Sequence, residues 1–213
     1  MKEIEKILLV CGGQKENASF IKKEAKAADF VLALDGGADI CLAAKITPDL
    51  VLGDLDSITE KAKEIMGEER LIKIDRQDNT DLEKGLDFAA WLEVKKAVII
   101  CACGGRLDFT LSNFSSVFAH AKQIDISVKG KDWQVIPARA TRAGYRRAFK
   151  CKAGARVSLI PQGKVNGLTL KNLKYPLKNA VLETGQSAVS NVALKDNFEI
   201  SFKCGKLLIY STV

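Results

Sequence analysis

The chain has 213 residues, 47% hydrophobic and 28% charged, with 33 Lys+Arg against 26 Asp+Glu and a formal net charge of +7. That length holds one large domain or two small ones with a real core, and the balance of apolar and charged side chains excludes a disordered chain. No apolar run approaches the ~20 residues of a membrane span, and Lys2-Glu3-Ile4-Glu5-Lys6 is the wrong start for a secretory leader, so a cytoplasmic protein is expected.

Ile4 to Val10 is a nearly continuous apolar run that reads as a buried parallel strand feeding the turn Cys11-Gly12-Gly13. Phe20, Ile21, Ala25 and Ala28 then recur at helical spacing. A second strand, Phe30 to Leu34, ends in Asp35-Gly36-Gly37-Ala38-Asp39, whose paired glycines admit backbone close to a ligand, and a helix through Leu42 and Ala44 follows. After Pro48 a third strand, Leu50 to Leu52, runs into Gly53-Asp54-Leu55-Asp56-Ser57, and a helix from Thr59 to Met66 stops near Gly67. Two carboxylates at a strand end repel phosphate unless a cation lies between them, and Mg²⁺ takes oxygen ligands while keeping waters and substrate phosphates. Asp54 and Asp56 therefore read as a magnesium bridge to a phosphorylated substrate, or else Asp54 caps the turn and Asp56 or Ser57 caps the helix after it.

Leu71 to Ile74 is a fourth strand, followed by Asp75-Arg76-Gln77-Asp78-Asn79-Thr80-Asp81. Thr80 with Glu83 makes a capping box for a helix from Asp81 to about Leu92, and Asp78 and Asp81 stand at its positive end, an anion or metal-phosphate site. Capping alone explains Thr80 and Glu83 but leaves Gln77 and Asp78 without a purpose. Lys96 to Ala102 is a fifth strand, ending in Gly104-Gly105-Arg106-Leu107-Asp108-Phe109-Thr110. The next helix carries Leu111, Phe114, Val117, Phe118 and Ala121 as a core stripe, and late on it His120 reads as structural; Ile124 to Val128 is a sixth strand. Strand and helix alternate, which predicts an α/β domain over residues 1–130, a mostly parallel sheet with helices on both faces.

After Gly130 the texture changes to short strand candidates at Trp133–Ile136, Arg156–Ile160, Leu168–Leu170, Ala180–Leu182, Phe198–Cys204 and Lys206–Tyr210. Phe198, Ile200, Phe202 and Cys204 alternate with polar residues, as in a half-buried antiparallel strand, so residues 131–213 are expected to form an all-β sandwich. Residues 1–130 hold 18 basic against 22 acidic side chains, residues 131–213 hold 15 against 4. Such a split suggests two parts with different jobs. The six cysteines, at 11, 41, 101, 103, 151 and 204, read as reduced core thiols, with Cys101 and Cys103 on one strand face, because a single histidine and this spacing make a poor zinc site.

Taken together, four successive strand ends carry Asp beside Gly or another acid. In a parallel sheet such loops emerge along one edge, so the acids converge and ask for a cation. Here the chain resembles the thiamine pyrophosphokinase family. The likeness is carried by Asp35-Gly36-Gly37-Ala38, by Pro48-Asp49 through Ser57-Ile58, by Gln77-Asp78-Asn79-Thr80-Asp81-Leu82-Glu83-Lys84, by Gly104-Gly105-Arg106-Leu107-Asp108 through Asn113, and by Gly167-Leu168, Leu173-Lys174-Tyr175-Pro176-Leu177 and Ser190-Asn191. The resemblance implies transfer of pyrophosphate from ATP to thiamine by a homodimer, with thiamine in clefts between subunits. It implies Asp54, Asp56, Asp78 and Asp81 as the Mg²⁺ and hydroxyl-activating cluster; Asp35 with Gly36 and Gly37, Arg106, Asp108 and Asn113 toward ATP; Gln77 and Thr80 near the reacting groups; Ser190 and Asn191 facing the aminopyrimidine. This chain has Phe109 where the family commonly has His, and Val192 where it commonly has Glu.

Two other readings were open to the sequence. A nucleotide-sugar transferase also holds a metal diphosphate with Asp-x-Asp. An RNA-binding module could use Arg139, Arg142, Arg146, Arg147, Lys150 and Lys152, although no aromatic pair interleaves those charges as a stacking platform would require. Trp133 could stack on a ring, but in a strand it reads as core.

Overall fold

The structure, a computed structural model, describes residues 3–76, 78–186 and 188–213. It divides into two compact units, Met1–Lys131 and Asp132–Val213. In the first unit the elements are β1 (Lys6–Val10), α1 (Ala18–Lys26), β2 (Phe30–Leu34), α2 (Gly37–Ala43), β3 (Leu50–Gly53), α3 (Glu60–Met66), β4 (Leu71–Lys73), α4 (Asp81–Trp91), β5 (Lys96–Ile100), α5 (Leu107–His120) and β6 (Asp125–Gly130). The strands lie in the order β6-β5-β1-β2-β3-β4, and every pairing is parallel.

Ile7, Leu8 and Leu9 of β1 are all fully buried, as a strand covered on both faces requires. Leu8, Val10, Val31, Ala33 and Val51 pack with Phe20 and Ile21 of α1, Cys41 of α2 and Met66 of α3. On the other face α4 lies over β1, β2 and β3 and beside α5. Gly85 of α4 meets the Leu34 side chain so closely that a Cβ there would stand 2.6 Å from it. Helices therefore cover both faces, as expected. The chain runs outward through β2, β3 and β4, then returns to place β5 on the opposite flank of β1. The reversal between β1 and β5 is the switch point at which open α/β sheets leave a crevice beyond their carboxyl ends.

The second unit contains β7 (Trp133–Arg139), β8 (Tyr145–Lys150), β9 (Arg156–Pro161), β10 (Val165–Lys171), β11 (Ala180–Leu182), β12 (Ala188–Val192), β13 (Asn197–Phe202) and β14 (Lys206–Thr212). They form the antiparallel sets β12-β9-β14-β7 and β11-β10-β13-β8. Between these lies one core of Val157, Leu159, Phe198, Ile200, Leu207 and their neighbours. Phe149 stacks on Phe198 and Tyr145 on Phe202, each with centroids 4.9 Å apart. This is the expected sandwich.

Several local expectations are corrected. Leu111 is 64% exposed and no part of the core stripe. β5 stops at Ile100; Cys101 has φ +56°, so the thiols of Cys101 and Cys103 lie on the loop after the strand. β13 ends at Phe202, and Cys204 is exposed beyond it. β8 and β12 escaped the sequence reading. In β8 the inward set includes Arg147 as well as Tyr145 and Phe149, which blurs the alternation; in β12 a register shift between Ala188 and Asn191 breaks it. His120 is structural as read: its Nε2 lies 2.9 Å from Asp87 Oδ1, tying α5 to α4.

Candidate active site

The carboxyl ends of β1, β2, β3 and β5, with the start of α4, surround a cavity of about 630 Å³ in the first unit. The loops after β1 and β5 are zipped together: Cys11 N donates to Ile100 O (3.0 Å), Gly13 N to Cys101 O (2.9 Å) and Gln14 N to Cys103 O (2.8 Å). This closeness demands glycine. A Cβ on Gly13 would lie 2.3 Å from Cys101 O, and one on Gly37 would lie 1.9 Å from Val10 O. Three of the surrounding turns pass through left-handed residues that are not glycine, Asp35 (φ +46°), Leu55 (+65°) and Cys101 (+56°). Each such conformation costs on the order of 1 kcal/mol or more, and strain of this kind clusters at functional sites.

One wall is acidic. Asp35, Asp54 and Asp81 each bring a carboxylate oxygen within 4.8 Å of the others, though they come from three different chain segments. Asp35 is buried and accepts from Ser57 N at 3.2 Å; Asp54 Oδ1 accepts from Asp56 N at 3.3 Å. Burial pushes the Asp35 carboxyl above its ordinary value; the Ser57 hydrogen bonds oppose this, and the negative charges of Asp81 and Asp54 add to it. Lys84, its side chain only 4% exposed, reaches from one turn along α4 to Asp81 Oδ1 at 3.0 Å. Lys84 by itself does not balance three carboxylates. The donor set is all oxygen, which suits Mg²⁺, an ion that leaves the rest of its octahedron to water and phosphate. These residues fit that ion.

The opposite wall, after β5, is of different character. Arg106 forks onto Asp108, with Nε to Oδ1 at 3.2 Å and Nη2 to Oδ2 at 2.5 Å, and its Cζ lies 4.5 Å from the centre of the Phe109 ring. That ion pair holds the Asp108 carboxyl below its usual range. Asn113 is buried and donates from Nδ2 to Ala102 O at 2.8 Å.

The residues expected at the site are placed unevenly. Asp35, Gly36, Asp54, Asp56, Thr80, Asp81, Arg106 and Asn113 line the cavity. Asp56 lies outside the three-oxygen group and accepts from Ser57 Oγ at 2.8 Å. Asp78 does not line the cavity; its carboxylate is forked onto Arg76 at 2.9 and 3.1 Å. Asp35 stands in the carboxylate group where the sequence reading had Asp56 and Asp78. Thr80 spends its hydroxyl on the expected capping box with Glu83. Asp108 holds Arg106 and does not itself line the cavity, and Gly37 is packed under β1. Gln77 lies outside the described residues.

In the second unit Ser190 (φ +59°) donates from its backbone to Ser158 Oγ at 3.0 Å. The buried Asn191 amide grips Tyr175 in both directions: Tyr175 N donates to Oδ1 at 3.0 Å, and Nδ2 donates to Tyr175 O at 2.8 Å. A smaller cavity of about 230 Å³, lined by Tyr175, Leu177, Ala188, Val189 and Asn191, lies beside this clasp. The sequence reading gave no role to Lys84 or Gln14, and took Ser57 as a candidate cap of α3, whose N-cap is Thr59. For Lys84 the signal was present, a lysine three residues after Asp81 on one helix face.

The model of the family described as "Thiamin pyrophosphokinase, catalytic domain" matches residues 21–128, and that of "Thiamin pyrophosphokinase, vitamin B1 binding domain" matches residues 148–207. The chain is 28% identical over 211 residues to the thiamine pyrophosphokinase of Bacillus subtilis (strain 168), covering 95% of this chain and 96% of that one. It is 26% identical over 165 residues to thiamine pyrophosphokinase 1 of Oryza sativa subsp. japonica, covering 72% and 62%. A crystal structure of thiamine pyrophosphokinase from Bacillus subtilis superposes with a TM-score of 0.85 at 25% identity, covering 98% of this chain and 99% of that one. The yeast thiamin pyrophosphokinase shares the fold, with a TM-score of 0.80 at 16% identity over 100% and 88% of the two chains. Nothing in these comparisons supports nucleotide-sugar transfer or RNA binding. Part of the basic charge of the second unit is already neutralised, since Arg146 and Lys171 both bind Glu199 at 3.0 Å.

Proposed function

The chain belongs to the thiamin pyrophosphokinase family, and from that premise we propose that it transfers the terminal pyrophosphoryl group of ATP to the hydroxyethyl oxygen of thiamine, giving thiamine diphosphate and AMP. It is an enzyme of the thiamine pyrophosphokinase class with thiamine as its substrate. The observation that carries the reading is the meeting of Asp35, Asp54 and Asp81 beyond the carboxyl ends of β2 and β3, beside a cavity large enough for a nucleotide.

A Mg²⁺ ion held by Asp35, Asp54 and Asp81 would supply charge neutralisation for phosphate oxygens. Asp56 lines the cavity outside that group, so its carboxylate is available to accept the proton of the thiamine hydroxyl. Arg106, on the facing wall, offsets negative charge on the nucleotide, with Asp108 holding its guanidinium in place. Asn113 fixes the turn after β5 through Ala102 O. Lys84 holds Asp81 toward the cavity. Asp78 is assigned to the loop before α4, through Arg76, and takes no part in the metal group.

In the second unit we assign the aminopyrimidine of thiamine to the surface beside Ser190 and Asn191. The support is the small cavity there and the Asn191 clasp that holds Tyr175 against it. A homodimer belongs to the same proposal, supported by exposed apolar side chains on this unit, Tyr175, Val181, Val189 and Leu194. A cytoplasmic location is supported by six free thiols, which a reducing compartment maintains. Incubating the purified chain with ATP, thiamine and MgCl₂ should yield thiamine diphosphate and AMP in equal amounts on chromatography. If ADP forms, or if AMP forms without thiamine, the proposal fails.

A further inference from the structure

We propose that Phe109 and Arg106 together form the platform on which the nucleobase of the co-substrate stacks, so that this chain holds the base by its flat face more than by hydrogen bonds to its edge. The inference rests on the nucleotide reading above and deepens it by saying how the base is bound.

The two walls of the cavity differ in chemistry. The acidic wall of Asp35, Asp54 and Asp81 suits phosphate joined through a cation, and repels it otherwise. Among the described residues that line the cavity, the wall after β5 carries no acid, and its polar side chains are Arg106, Asn113 and Gln14, the last lying against Gly104. Asn113 is buried and spends one N–H of its Nδ2 on Ala102 O. What this wall offers is a ring. Phe109 is 45% exposed and faces the cavity, whereas its helix neighbours Leu107 and Leu111, which are also exposed, do not line it.

Arg106 completes the surface. Its guanidinium lies over the ring at 4.5 Å, and its fork is occupied by the Asp108 carboxylate. With Nε and Nη2 so occupied and the ring against one face, the guanidinium presents its other plane, and Nη1 remains for the nucleotide's charge. Rings and guanidinium planes are the two side-chain surfaces on which bases stack, and such stacking tolerates any base because each has a π-face. Gly105 adjoins the pair with φ +66°, and a Cβ there would meet nothing within 4 Å, so the approach is open.

The test is calorimetric titration of the full chain in MgCl₂ with α,β-methylene-ATP and with inorganic tripolyphosphate, which has the phosphates and no base. Phe109→Ala should weaken the nucleotide analogue by about tenfold, the size of a lost base–aromatic stack. It should leave tripolyphosphate within about twofold, and Phe109→Tyr should leave both ligands so. The guanine analogue should bind the wild-type chain within about threefold of the adenine one, as base-tolerant stacking requires. Unchanged analogue affinity in Phe109→Ala overturns the inference, and so does an equal loss of tripolyphosphate, which would make the ring a support for the phosphate site. AMP release from ATP and thiamine is measured on the same wild-type preparation. If the enzyme is active and the alanine variant binds normally, stacking alone is refuted; if the wild type binds no nucleotide and releases no AMP, the functional proposal falls and takes this inference with it.

Discussion

Lys84→Met removes a buried cation that touches the acidic wall while keeping a side chain of similar length. In the folded chain Lys84 Nζ lies 3.0 Å from Asp81 Oδ1, with the two side chains 4% and 31% exposed. At an effective dielectric of about 20, unit charges at this separation attract by roughly 5 kcal/mol, and the cost of desolvating the lysine consumes part of that. Asp81 keeps some water, so losing its partner should cost about 2–4 kcal/mol, toward the lower side of what breaking a buried pair costs. For a chain of 213 residues this corresponds to a fall in Tm of roughly 5–12 °C. The reasoning also fixes the dependence on a divalent ion, because a cation at Asp35, Asp54 and Asp81 replaces the charge that Lys84 supplied. Thermal unfolding followed by circular dichroism should therefore show the full loss in EDTA and a visibly smaller loss in millimolar MgCl₂. A variant that melts with the wild type in EDTA, or loses the same amount with and without Mg²⁺, would refute the claim that Lys84 offsets the carboxylate group.

Asp54→Asn and Asp81→Asn should each lower turnover by about a hundredfold or more while the circular dichroism spectrum stays that of the wild type, since electrostatic stabilisation is the largest single contribution in such transfers; wild-type turnover in either would remove it from the metal group. The raised carboxyl of Asp35 binds a proton more readily in the folded chain than in the unfolded one, so its ionisation lowers stability as pH rises from the ordinary carboxylate range through the raised value. Asp35→Asn, which keeps an acceptor for Ser57 N, should then melt above the wild type at pH 7 in EDTA, with the difference shrinking as pH is lowered; an equal or lower Tm at pH 7 contradicts this. Asn191→Ala frees Tyr175 N and O at once and should cost about 1–3 kcal/mol with a raised KM for thiamine. An unchanged KM would show that the clasp does not shape the thiamine surface.

Much of this molecule was legible because its local signals agree with its global fold. The apolar runs at Leu8 and Val98, the capping box at Thr80 and Glu83, and the alternation at Phe198, Ile200 and Phe202 each point to the element that forms. Leu111 misled because its helical spacing to Phe114 and Phe118 is that of a core stripe, while the start of α5 projects past the packed layer. β12 could not be read because a residue with φ +59° and a register shift erase the period of two.

By itself the sequence determined that acids stand at successive strand ends, because a strand's length and the glycines after it are local properties. It could not decide which acids meet. Read along the chain, Asp56 and Asp78 are the same residue type as Asp35 and Asp81. The strand order and the left-handed turn at Asp35 bring the oxygens of Asp35, Asp54 and Asp81 within 4.8 Å, while the ion pair with Arg76 holds Asp78 aside. Proximity among residues 19 to 46 positions apart is a consequence of packing, and no pattern read along the chain contains it.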